Sequence, residues 1–284
     1  MGDSSKLQLV ALTTVVMVAF AMNSLLCREA LASSSIGVAA FITVRLASGA
    51  LTLWLLVAMT SGRRGVGGNW ISAAALFGYA ACFSFAYTSL SAGTGALLLF
   101  GAVQISMITW GLMHGERFTP LKWLGALSAF SGLVWFVSPG VEAPPPWGAA
   151  LMLAAGVCWG IYSLRGRGAT NPTAETAGNF VRSAPFAVVL YFLPVQDAVT
   201  ASPVGWTLAI ASGALASGFG YALWYSVLPQ LTAGTSATVQ LSVPIIAAAG
   251  GVVFLAEPLA LRLAIASAVV LGGIFLFINS GRRA

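Results

Sequence analysis

Two arginines, Arg45 and Arg182, stand inside long apolar stretches of a chain that is 58% hydrophobic and only 7% charged. A cation in such surroundings is costly unless it faces protein or water. Two roles suit it: a clamp for the carboxylate of a bound solute, or a tether to backbone carbonyls near a helix end, with the head snorkelling to the nearest interface. The two arginines occupy matching places in a repeat described below. That match favours the tether, because one small asymmetric solute seldom needs both. Three amides, Asn23, Gln104 and Gln240, lie in equally apolar runs, and each should turn toward another helix or a polar solute group. Tyr79, Phe83 and Tyr87 recur every four residues, which places them on one face of a helix. Trp159 with Tyr162, and Tyr221 with Trp224 and Tyr225, form further ring clusters, and Trp110 lies late in another run. Rings with a few amides describe a cavity wall for a neutral or zwitterionic amphipathic solute. The candidate binding residues are therefore Asn23, Tyr79, Phe83, Gln104, Trp110, Trp159, Tyr162, Tyr221, Trp224 and Gln240. Trp70 and Trp147 open their runs and read as interfacial belt residues.

Other chemistries lack their residues. No GxxxxGK[ST] loop is encoded, so no ATP motor is expected. His114 is the single histidine, and Cys27, Cys82 and Cys158 show no metal spacing and are odd in number. They are expected to be packing residues with no disulfide. No GxSxG elbow occurs, and none of the seven carboxylates falls in the middle of an apolar run, so no acid–base pair sits at depth. No catalytic residue, metal or cofactor is expected, and an enzyme is disfavoured.

The elements that position these residues are apolar runs of the length that crosses a bilayer, about 17–25 residues. Ten are predicted: Leu7 to Leu26, Ile36 to Met59, Trp70 to Ser89, Gly93 to Met113, Leu121 to Ser138, Trp147 to Leu164, Ala177 to Leu193, Val204 to Val227, Ala233 to Leu255 and Leu259 to Ile278. With a mean hydropathy of +0.92, a water-soluble fold could not cover its surface. Runs such as Leu97-Leu98-Leu99 are apolar all round, which argues against a barrel. The first run is longer than a signal-peptide core and leads into Arg28-Glu29, so it is expected to be retained. With the N-terminus in the cytoplasm, Lys6, Arg63, Arg64, Arg117, Lys122, Arg165, Arg167, Arg282 and Arg283 fall inside and only Arg28 and Arg262 outside. That bias obeys the positive-inside rule and places both termini in the cytoplasm. The pI of about 9.7 then follows from topology and anionic lipid, with no nucleic acid partner. Within the spans, Gly156 and Gly160 form a GxxxG close-packing face, and Pro244 should kink the ninth.

The chain repeats itself. Ala92-Gly93-Thr94-Gly95-Ala96 lies over Ala233-Gly234-Thr235-Ser236-Ala237, and the same offset sets Glu116 on Glu257, Gly132 on Gly273, Phe136 on Phe277 and Gly140 on Gly281. With small gaps Arg45 falls on Arg182 and Tyr87 near Tyr225. Each half, residues 1–140 and 141–284, holds five runs. An odd number turns the second half upside down, a plan common among secondary transporters with a site near midplane.

Tyr221-Ala222-Leu223-Trp224-Tyr225, Ala233-Gly234-Thr235, Pro244, Glu257-Pro258 and Gly272-Gly273 resemble the second EamA-type repeat of the drug/metabolite transporter superfamily. The first half matches through Gly115-Glu116-Arg117-Phe118-Thr119-Pro120-Leu121. The resemblance covers nearly the whole chain. It implies an all-α polytopic membrane protein with ten transmembrane helices in a 5+5 inverted-topology repeat around a central cavity. Size and aromatic content are most similar to the amino-acid and metabolite exporters, the aromatic amino-acid exporters above all. One departure matters: the first-helix Glu of the proton-coupled small multidrug exporters has no counterpart, since residues 7–26 contain no acid. The function expected is export of small metabolites, amino acids first, by alternating access without proton coupling, from a bacterial inner membrane. A small solute and membrane lipid are the expected partners, and a monomer suffices. Carriage of drugs, sugars or phosphorylated compounds by the same fold is the alternative, although phosphates need more cations than Arg45 and Arg182. A membrane scaffold or enzyme is the alternative of another class.

Overall fold

The computed structural model describes residues 3–60, 67–166, 169–193, 201–231 and 239–280, and every described secondary-structure element is helical. In chain order these are α1 (Asp3–Ala32), α2 (Val38–Thr60), α3 (Trp70–Ala86), α4 (Ala92–Met113), α5 (Pro120–Val137), α6 (Pro146–Arg165), α7 (Pro172–Phe192), α8 (Pro203–Gln230), α9 (Ser242–Leu255) and α10 (Leu261–Asn279). The loop residues Arg63, Arg64, Arg167 and Asp197, the motif at Ala233–Ala237 and the terminal Gly281, Arg282 and Arg283 lie outside the described residues.

Local signals account for the starts. Asn69, Ser91, Thr119, Asn171 and Ser202 each accept a backbone N–H three residues on, from Ser72, Thr94, Lys122, Ala174 and Gly205. Such caps satisfy donors that the first turn leaves unpaired. Proline follows in the first turn of α5, α6, α7 and α8, where its missing N–H costs nothing. Asn171 and Pro172 therefore start α7 ahead of the predicted Ala177, through a polar turn that a hydropathy reading passes over.

Seven helices are long and apolar enough to cross a membrane: α1, α2, α4, α5, α6, α8 and α10. α3 and α9 are apolar but shorter. α9 begins at Ser242 because the helix breaks at Leu241, where Pro244 three residues on cannot donate to the residue 240 carbonyl. The kink expected there is this break.

α5 packs chiefly on α10, α3 on α6, α2 on α7 and α8, α4 on α6 and α9, and α1 on α8 and α9. Two of these approaches are close because glycine permits it. A Cβ on Gly125 would meet the Gly273 carbonyl oxygen at 2.6 Å, and one on Gly156 would meet Ala102 Cβ at 2.5 Å. Inside α8, residues Ser212–Phe219 wind as a π-helix. That segment, Ser-Gly-Ala-Leu-Ala-Ser-Gly-Phe, sets Gly213 against the carbonyl of Arg45 on α2.

Candidate functional site

A cavity with about 410 Å³ of atom-free space, mouth included, lies where α1, α3, α4, α6 and α8 converge beside the Gln240 turn. Its walls are mostly aromatic. Trp159 of α6 is central: its ring centroid is 4.8 Å from that of Tyr79 on α3, 5.2 Å from Tyr221 on α8 and 5.4 Å from Tyr162 on its own helix. Tyr79 and Phe83, one turn apart on α3, are 5.3 Å apart, and Phe20 of α1 meets Tyr221 edge-on at 5.8 Å. Leu99 and Phe100 of α4 complete the apolar part.

One end of the cavity is polar. Tyr79 Oη accepts from Arg45 Nη2 at 3.0 Å and from Asn23 Nδ2 at 3.3 Å. Asn23 Oδ1 in turn accepts from Ser212 Oγ at 2.7 Å, and Ser212 opens the π-helical segment of α8. A π-bulge turns side chains out of the ordinary α register and recurs at functional sites. Here it delivers a hydroxyl to an amide on α1. Arg45 lies behind this wall, with its guanidinium carbon 5.3 Å from the Tyr79 centroid and 4.9 Å from that of Phe83.

Of the residues predicted from sequence, Asn23, Tyr79, Phe83, Trp159, Tyr221 and Gln240 line this cavity. Tyr162 lines a second, smaller and more polar cavity beneath Trp159, where it donates to Thr176 Oγ1 at 3.2 Å and accepts from Asn179 Nδ2 at 3.5 Å. Trp224 is buried one layer back, 6.1 Å from Phe20, and Gln104 is buried in α4 away from the cavity. Trp110 stands apart: it is 47% exposed and stacks on His114 at 3.9 Å. Phe20, Ser24, Leu99, Phe100 and Ala216 line the cavity and were not singled out. Phe20 and Ser24 flank Asn23 on one face of α1, so a full face reading from Asn23 would have found them. Nothing in the sequence distinguishes Leu99 or Ala216 from other apolar residues.

Residues 146–279 match the model of the EamA-like transporter family. An uncharacterized protein of Pseudomonas aeruginosa is 51% identical over 272 residues, which cover 94% of this chain and 93% of that protein. The chain belongs to the EamA-like transporter family. It is thus a multi-pass membrane protein and a transporter with a small-molecule solute, as the resemblance implied. An uncharacterized transporter of Archaeoglobus fulgidus is 27% identical over 78% of this chain and 82% of its own length. The threonine/homoserine exporter RhtA of Escherichia coli is 33% identical, over 49% of this chain and 48% of its own. A solved crystal structure superposes with a TM-score of 0.66 at 21% identity, covering 95% of this chain and 99% of that one, and shows the same fold.

At one end of this EamA-like helical assembly, Glu257 closes a clasp. Ala256 takes a left-handed φ of 52° after α9 and folds the chain back, so that Glu257 N donates to the Gly251 carbonyl at 3.0 Å. Glu257 Oε1 then accepts from Arg28 Nε of α1 at 3.0 Å, and Oε2 accepts from Ala92 N, at the N-terminus of α4, at 2.8 Å. Arg28 Nη1 also donates to the Tyr87 carbonyl at 3.0 Å. A carboxylate at a helix N-terminus meets unpaired N–H groups and the positive end of the dipole. The clasp joins the ends of α1, α3, α4 and α9.

Glu116 sits on the same kind of turn after α4: Gly115 has a φ of 86° and Glu116 N donates to the Gly111 carbonyl at 3.0 Å. Its carboxylate, however, is exposed and makes no ion pair among the described residues. Arg165 of α6 bonds to Ser72 Oγ at 3.2 Å and Asn69 Oδ1 at 3.3 Å instead. Arg182 is a tether, donating to the carbonyls of Gly67 at 2.5 Å and Gly178 at 3.1 Å. Arg262 staples α5 to α10 by donating to the carbonyls of Trp135, Phe136, Ser138 and Val141.

Proposed function

We propose that this protein exports small metabolites, neutral amino acids foremost and aromatic ones among them, across the inner membrane by alternating access. Residues 1–140 and 141–284 act as two five-helix repeats of inverted topology, with both termini in the cytoplasm. The observation that carries the reading is the make-up of the cavity wall. It draws α1, α3 and α4 from one half and α6, α8 and the turn before α9 from the other. In a 5+5 correspondence these are counterparts, first with sixth, third with eighth and fourth with ninth.

The packing supports the same correspondence. The α3–α6 pair exchanges into α8–α1, α4–α6 exchanges into α9–α1, and α2–α7, α4–α9 and α5–α10 map onto themselves. A two-fold axis in the membrane plane produces that pattern. The twin turns carrying Glu116 and Glu257 agree with it. At the spacing that relates Arg45 to Arg182, the counterpart of Arg28 is Arg165. Arg28 is clasped to Glu257 at the end assigned to the outside, while Arg165 and Glu116 are apart at the cytoplasmic end. One clasp made and its counterpart unmade is what one of two alternating states requires.

An aromatic wall with a few polar groups suits a small amphipathic solute. The name of the Escherichia coli relative, a threonine/homoserine exporter, adds support for amino acids over the half of the chain that it matches. The test is counterflow: purified protein in liposomes preloaded with unlabelled amino acids should take up the labelled ones. Failure with aromatic and other neutral amino acids alike refutes the amino-acid reading. Reporter fusions near Glu142 should read outside and those near Lys122 inside; a cytoplasmic signal at Glu142 breaks the inverted repeat.

A further inference from the structure

Arg45 has no anion. Its side chain is 2% exposed, and Nη1 is buried without a hydrogen-bond partner. Its guanidinium donates to the Tyr79 hydroxyl and lies over the Tyr79 and Phe83 rings, and no carboxylate among the described residues pairs with it. The single ion pair among the described residues is Arg28–Glu257, a separate contact at the end of α1. A guanidinium does not shed its proton in a protein, and a buried charge without a partner is strongly destabilising. The polar end of the cavity therefore carries one positive charge that the described residues do not balance.

The hydrogen-bond inventory has the same bias. Tyr79 Oη already accepts two bonds, from Arg45 and from Asn23, so its own proton remains to be donated. Asn23 spends one N–H on Tyr79 and commits its oxygen to Ser212, so its second N–H also remains. Both residues line the cavity. What faces the solute at this end is a pair of donors with a cation one layer behind. The complement is a compact acceptor with one negative charge. A carboxylate neutralises one guanidinium, whereas a phosphate, at about −1.5 to −2, would leave excess buried charge.

We infer that the cavity binds the carboxylate of its solute at the Tyr79 hydroxyl and the Asn23 amide, with Arg45 behind them as counter-charge, so that the transported class is small monocarboxylates, amino acids included. This rests on the transport reading above. Tyr79 and Asn23 are the contacts; Arg45 is a positioning residue that fixes the Tyr79 hydroxyl and supplies the charge. The objection from symmetry does not hold in the fold. Arg182 Nη1 donates to the Gly67 and Gly178 carbonyls, so the two halves supply one cation behind the cavity wall and one backbone tether among the described residues.

The test uses full-length protein in liposomes and five labelled probes: phenylalanine, threonine, phenylpropionate, phenylalaninamide and phenethylamine. Wild-type protein should move the acids at least about tenfold more efficiently than the amide or amine, the discrimination of one charge-assisted hydrogen bond. Arg45→Gln and Tyr79→Phe should pull that ratio toward one, mainly through KM, and Arg45→Lys should restore part of it. A merely structural Arg45 would slow every probe alike and leave the ratio unchanged; that result overturns the inference, as does equal transport of acid and amide by wild type. If Arg45→Gln does not fold, Tyr79→Phe, which removes one hydroxyl, decides alone. Transport of phenylpropionate without any amino acid would refute the amino-acid reading and keep the carboxylate site. No movement of any probe by folded protein would refute the transport reading and the inference with it.

Discussion

Glu257→Gln should release the end of the cavity assigned to the outside. The wild-type carboxylate bonds Arg28 Nε at 3.0 Å and Ala92 N at 2.8 Å, with side chains 22% and 12% exposed for Arg28 and Glu257. A glutamine keeps the shape and one acceptor but removes the charge from both contacts. A charge-assisted hydrogen bond contributes about 1.5–3 kcal/mol, and a carboxylate at a helix N-terminus about 0.3–1 kcal/mol. The partial exposure of both partners lowers the total, because water and salt screen what they can reach. A net loss of about 1–2 kcal/mol is therefore expected, a roughly five- to thirtyfold shift toward the state in which this end opens. The assay places a reporter in the cavity wall, Ala216→Cys, and labels it in intact cells with a membrane-impermeant maleimide. The labelling rate should rise about five- to thirtyfold in the Glu257→Gln background, following that population. Glu142→Gln is the control. It removes the same charge at an exposed site, where Glu142 accepts only from Arg262 N at 3.2 Å. An unchanged rate, or an equal rise in the control, would refute a clasp that holds this end shut.

Three further outcomes follow from the packing and the site. Trp159→Ala removes the ring that touches Tyr79, Tyr162 and Tyr221, and should depress transport while expression stays near wild type; normal kinetics would remove Trp159 from the site. Gly273→Val places its side chain 2.7 Å from the Gly125 carbonyl and should destabilise the α5–α10 contact by about 1–3 kcal/mol, read as a lower Tm in detergent, without altering substrate preference. An imposed proton gradient should not concentrate solute in liposomes, because the described midspan residues offer no Asp, Glu or His to carry the proton. Many-fold accumulation would overturn uniport and turn attention to Glu116 and Glu257.

Much of the architecture was legible because membrane spans are written locally. Length, hydropathy and a cap followed by proline mark a helix without reference to the rest of the chain. The reading slipped where local polarity and helix part company. α7 begins at Pro172 in a polar turn, and the ninth span breaks at Leu241 ahead of Pro244. The aromatic wall was half legible. Tyr79 and Phe83 share a helical face, so periodicity found them together, and Trp159 and Tyr221 were marked by ring clusters. Trp110 was picked only for its place late in the fourth run and packs on His114, because a ring's place along a run does not say what it meets.

The arginines divide most clearly between sequence and structure. From sequence alone, Arg45 and Arg182 are equivalent: each is a cation in the second span of its half, and each must avoid lipid. The sequence determined that both would be buried against something, that the spans around them would be helical, and that carboxylates would be scarce at depth. It could not determine their partners, because these come from elsewhere in the chain. Arg182 meets the Gly67 carbonyl from the segment before α3. Arg45 meets Tyr79, whose hydroxyl is held in turn by Asn23 of α1 and, through it, by Ser212 at the π-helical turn of α8. Four helices, α1, α2, α3 and the distant α8, must pack before that cation acquires this surrounding, with no anion among the described residues. Only tertiary structure could make one arginine a tether to backbone carbonyls and bond the other to Tyr79 behind the cavity wall.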